Sequence, residues 1–132
     1  MTLDDVQAVY SVIRREMEDI RAETAGRYGG EWQIKSSAPI GGPKAAFAGV
    51  QLNGHRPGQP KRVLTVEVFR RPPDLLLCAY VGKVSGNERW PVTDLSGTVI
   101  VPTDDPDNIT PRFVRAQSPA FLGLVAETEA AP

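Results

Sequence analysis

The chain has 132 residues, 41% of them hydrophobic, and a formal net charge of −1, a size that buries one core without a metal or disulfide staple. Cys78 is the single cysteine, which excludes an internal disulfide and a cysteine-rich zinc site and makes a reducing cytoplasm the expected compartment. The longest apolar run, residues 75–81, covers seven residues where a membrane-spanning helix takes about 20, and Asp4 and Asp5 do not fit the basic region of a secretory signal, so neither a membrane nor export is expected.

The first predicted element is a long amphipathic helix. Leu3, Val6, Tyr10, Ile13, Met17 and Ile20 recur at spacings of three and four, which lines up one apolar stripe. Thr2 is the expected N-cap, Asp4 and Asp5 suit the positive end of the helix dipole, and Gly26, Gly29 and Gly30 mark its end. From Glu31 onward the pattern becomes strand-like, with runs at residues 32–37, 46–52, 63–70, 75–84, 98–101 and 112–116 separated by Gly, Pro, Asn and Asp. Arg71, Pro72, Pro73 and Asp74 form a turn too short for a parallel crossover, so the third and fourth runs are expected to pair antiparallel. In the third run Leu64, Val66 and Val68 make a dry row, with Thr65 and Glu67 on a wet one. The fourth run is apolar in both rows, and each of its faces requires a cover. The helix supplies one; the other calls for a return loop, the C-terminal segment or a second subunit, which makes a homodimer the expected assembly. Ser118 and Pro119 signal a short helix carrying Phe121, Leu122 and Val125. The expected fold class is α+β, one domain over residues 1–126 with a helix packed on a mainly antiparallel sheet of about five strands, followed by a mobile acidic tail at 127–132. In outline, a helix leading into a sheet that wraps it resembles the cystatin-like architecture, a resemblance of shape that implies no activity.

Charge is unevenly spread: residues 1–31 hold seven acids and four bases, whereas residues 32–115 hold seven acids and eleven bases. His55, Arg56, Lys61, Arg62, Arg70 and Arg71 face a single acid, Glu67, between positions 55 and 71. Such a cluster suits a polyanion such as RNA or DNA, or a phosphorylated ligand. Strand geometry divides it, because Arg70 and Arg71 lie roughly 25 Å from the hairpin at ~3.3 Å per residue, and neither half is interleaved with stacking aromatics. Nucleic acid is therefore the lesser expectation, and an intramolecular role for the charge contrast the greater.

Individual residues point to little chemistry. His55, in a predicted irregular loop over residues 53–60, is the only histidine and has no Ser, Cys or carboxylate at a recognisable spacing, so no nucleophilic pair is predicted. One His and one Cys are too few for zinc. Asp104, Asp105, Asp107 and Asn108 fit a capped turn better than a calcium loop, since Pro106 interrupts them. Gly41, Gly42, Pro43 and Lys44 lack the spacing of a phosphate loop. Cys78 and Trp32 read as core residues, and Trp90, in the predicted loop at residues 85–97, as a core plug or an anchor for a partner. The expectation is a non-catalytic interaction or accessory protein, homodimeric and with an unidentified protein partner, using no cofactor or metal. His55, Arg56, Lys61, Arg62 and Trp90 are the candidate contact residues, and a small-molecule or enzymatic site between helix and sheet, with His55 or Asp94 at its rim, is the further alternative.

Overall fold

A computed structural model describes residues 3–37, 47–83, 94–102 and 106–128. The opening periodicity becomes α1, Leu3–Tyr28. Val6, Val9, Ile13, Met17 and Ile20 are buried along one side of it, each burial contributing about 1.5–3 kcal/mol. The helix continues through Gly26 and stops at Gly29 and Gly30, whose φ angles of 64° and 90° are left-handed. At Gly30 a Cβ would lie 2.1 Å from the His55 carbonyl oxygen, so glycine alone permits the chain to turn this close beneath the neighbouring strand.

Five strands follow: β1 Glu31–Ser37, β2 Phe47–His55, β3 Arg62–Arg71, β4 Asp74–Lys83 and β5 Asp94–Val101. They form an antiparallel meander in the order β1-β2-β3-β4-β5. The pairing of β3 with β4 and the dry row Leu64, Val66 and Val68 are as expected, and the dry row aligns with Val50 and Leu52 of β2 and with Leu77 and Ala79 of β4. α1 packs on this side, over β1, β2 and β3.

β2 runs three residues beyond its predicted end, through Asn53 and Gly54. Gly54 is opposite Trp32 on β1, and a Cβ there would lie 2.0 Å from the Glu31 carbonyl oxygen and 2.7 Å from the indole ring. Glycine here is a close-packing requirement rather than a strand terminator. Consequently His55 is the last residue of a strand and not part of an irregular loop. β5 is likewise longer than the predicted run at 98–101, and a bulge falls in its pairing with β4 at Ala79 and Tyr80.

The run at residues 112–116 is not a strand. It ends a helix, α2, Pro106–Ala116, whose Thr110 and Val114 are buried and whose Ile109 and Phe113 pack against the core. This i, i+4 pattern wins over Pro111, which lies only five residues from the helix start. Asp107 and Asn108 therefore open α2. α3, Ser118–Ala126, has its proline in the first turn and buries Phe121, Leu122 and Val125, as expected. The two C-terminal helices follow the sheet. Thr2, Gly41, Gly42, Pro43, Lys44, Trp90, Asp104 and Asp105 lie outside the described residues.

Two glycines give opposite expectations. Gly54→Ala should destabilise by about 1–3 kcal/mol through overpacking, whereas Gly123→Ala in α3, where a Cβ meets nothing within 4 Å, should stabilise by about 0.5–1 kcal/mol. Urea unfolding of both variants checks this, and equal effects would contradict the close approach at Gly54.

Candidate functional site

The basic hairpin is turned inward. Arg62, at the start of β3, is 2% exposed and lies on the helix side of the sheet. Its Nε donates to the Leu124 carbonyl at 3.2 Å, and Nη1 lies 3.3 Å from the Lys61 carbonyl. Arg56, just after β2, donates from Nη1 to the carbonyls of Val125 at 3.4 Å and Ala126 at 3.2 Å. Its guanidinium also stands 5.0 Å from the centroid of the Tyr28 ring, within cation–π range. The last carbonyls of a helix lack intrahelical donors and form the negative end of its dipole. Two arginines from the hairpin thus cap α3, and Lys83 adds an ion pair to Glu127 at 3.1 Å. Of the predicted contact residues, Arg56 and Arg62 are joined here in one clasp, while Lys61 remains exposed.

His55 is half-buried, with Nδ1 2.9 Å from the Arg56 carbonyl oxygen. It borders a hollow of about 290 Å³ shared with Glu31, Gln33, Asn53 and Lys61. That lining contains no hydroxyl or thiol for a histidine base to activate. Among the described residues no group of three or more His, Cys, Asp or Glu is placed to hold a metal.

A larger groove of about 620 Å³ runs between α1 and α3, over Ile20, Tyr28 and Leu122. Its walls carry Glu16, Asp19 and Glu23 against Arg27 and Arg115, and two of the three acids form ion pairs. Glu16, itself 3% exposed, accepts from Arg115 Nε at 2.7 Å and Nη2 at 3.2 Å, a two-pronged pair that ties α2 to α1. Glu23 pairs with Arg27 at 2.9 Å.

On the opposite side of the sheet no described element is packed. β2, β3, β4 and β5 place Phe47, Phe69, Leu76 and Ile100 in register there, one residue from each strand. Phe47 is 37% and Ile100 42% exposed. The two phenyl rings stack with centroids 5.7 Å apart. Along the strands, the adjacent row is Gly49, Glu67, Cys78 and Thr98. Here lies a hollow of about 260 Å³ over Gly49, bordered by Lys35, Gln51, Thr65 and Glu67. Burial pushes the Glu67 carboxyl above the usual range, and it pushes the Cys78 thiol up as well, which suppresses the thiolate. Further along, amides link the strands: Gln33 donates to Asn53 at 3.1 Å and Asn53 to Gln51 at 3.0 Å.

The apolar row was not among the predicted contact residues. Its signal lies in the pairing register, since placing Phe47 opposite Phe69 requires knowing that β2 continues through Gly54.

Comparison of the chain with models of known protein families, with curated proteins and with solved structures finds no match in any of the three. Geometry and chemistry alone therefore define the site.

Arg62→Ala should destabilise the fold by about 2–3 kcal/mol, the upper range for hydrogen bonds to a charged group, and accelerate amide exchange throughout α3. Arg56→Ala, being more exposed, should cost about 1 kcal/mol; unchanged α3 exchange in both variants would contradict the clasp. Glu67 carries a separate pH signature. Its folded-state pKa is raised, so the folded form holds the proton more tightly and this carboxyl's contribution to stability falls as pH rises from the ordinary glutamate range through the folded value. In dilute protein, the stability of wild type relative to Glu67→Gln should therefore fall as pH rises above the ordinary glutamate range, and a constant difference would remove the burial argument.

Proposed function

We propose that this protein is a non-catalytic interaction protein that works as a homodimer, with the sheet face opposite the described helices as its contact surface. One observation carries the reading: Phe47, Phe69, Leu76 and Ile100 align across four strands on the side opposite all three helices. A contiguous apolar row of this kind on a small domain marks an interaction surface more often than scattered exposed residues do. The ordered amides beside it supply the polar rim that such surfaces carry.

The inward-turned hairpin favours this reading over polyanion binding. Arg56 and Arg62 direct their guanidinium groups at the carbonyls of α3, so a phosphate would have to compete with the helix cap. The Glu16–Arg115 pair in the α1–α3 groove likewise favours a role in holding helices together. An unidentified protein partner would then meet the dimer.

Sedimentation equilibrium from micromolar to several hundred micromolar protein should show a mass rising from 14.3 kDa to twice that value. A mass that stays at the monomer value over this range would overturn the homodimer.

A further inference from the structure

Resting on the homodimer reading, we infer that two copies pair face to face about a two-fold axis running across the strands, midway between the row Phe47, Phe69, Leu76, Ile100 and the row Gly49, Glu67, Cys78, Thr98. Such an axis faces each row with the other row of the partner. Phe47 then meets the hollow over Gly49, Leu76 meets Cys78 and Ile100 meets Thr98.

The argument is one of shape and charge. Large side chains occupy one row and small ones three of the four positions in the next, and a two-fold operation converts neighbouring ridge and trough into complementary surfaces. The trough opposite Phe47 is a hollow of about 260 Å³, while Phe47 and Ile100 stand 37% and 42% exposed at the two ends of the ridge. Moving the axis half a row, onto Gly49 and Thr98, would set Glu67 against its own copy. Two carboxylates face to face repel, whereas the inferred axis separates them and sets Glu67 against Phe69. Overlap of about four strands by four rows, at ~4.8 Å between strands and ~6.7 Å between rows, covers roughly 500 Å² per copy. That is near the lower limit for a specific interface.

Thr98 and Ile100 allow a direct test because both are exposed and each would face the other across the axis. T98W puts bulk in the trough and should weaken the dimer at least tenfold in sedimentation equilibrium, with the far-ultraviolet circular dichroism unchanged. Adding I100A in the same chain exchanges large for small on both sides of the axis and should restore the dimer to within about threefold of wild type. A dimer of wild-type affinity in T98W, or a double variant as weak as T98W, would overturn this pairing while leaving the homodimer reading intact. A wild-type protein that remains monomeric would overturn both. Should T98W lose its circular dichroism, Ile100→Asp gives the same decision: tenfold weakening supports the pairing and unchanged affinity rejects it.

Discussion

The position of the last helix depends on a buried cation. Arg62 begins β3 in the row that continues as Leu64, Val66 and Val68, so alternation along the strand points its guanidinium to the helix side, into the core. A charge in that environment is tolerated only when acceptors surround it. At that end of the dry face the Arg62 Nε donates to the carbonyl of Leu124. α3 is an uncharged segment, Ser-Pro-Ala-Phe-Leu-Gly-Leu-Val-Ala, with no side chain of its own to cap its last turn. Arginine and helix end thus each supply what the other lacks. Trp32 closes the same corner, its ring edge-on to Phe121 at 5.9 Å and its Nε1 donating to the Gly29 carbonyl at 2.7 Å.

This clasp also explains why the basic stretch misleads as a linear pattern. Arg56, Lys61 and Arg62 are adjacent in sequence and suggest one patch, yet the hairpin distributes them among three environments. Arg62 enters the core, Arg56 crosses Tyr28 to the helix end, and Lys61 faces water. Charge along a chain is legible; the sign of the group that it meets is not, when that group is a backbone carbonyl 62 to 70 residues away.

The same distinction separates the elements that were legible from those that were not. Helix α1, the wet and dry rows of β3 and the hairpin into β4 follow from local periodicity and turn chemistry, and they form as read. The end of β2 and the nature of residues 112–116 were misread because Gly54 and Pro111 act as breakers only on local grounds. At Gly54 the approach of Glu31 and Trp32 makes glycine the residue that permits the strand. At Pro111 burial of Thr110 and Val114 outweighs one lost amide donor. The apolar row of the outer face lay deeper still, since four strands must be in register before its members are neighbours.

An exposed apolar sheet face raises the question of why association would be face to face rather than edge to edge. The edges answer it. β1 alternates Glu31, Gln33 and Lys35 on its outer side, and charged side chains make an edge strand a poor template for another strand. β5 carries a bulge where it pairs with β4, which twists that edge out of regular register. Both edges therefore oppose strand addition, while the stacked phenyl rings remain available on the flat of the sheet. Glu67 sets an upper limit on that attraction: it stands in the trough with no ion pair among the described residues, and covering it costs desolvation. The face is consequently apolar enough to associate and polar enough to separate, which suits a reversible contact better than a permanently buried one.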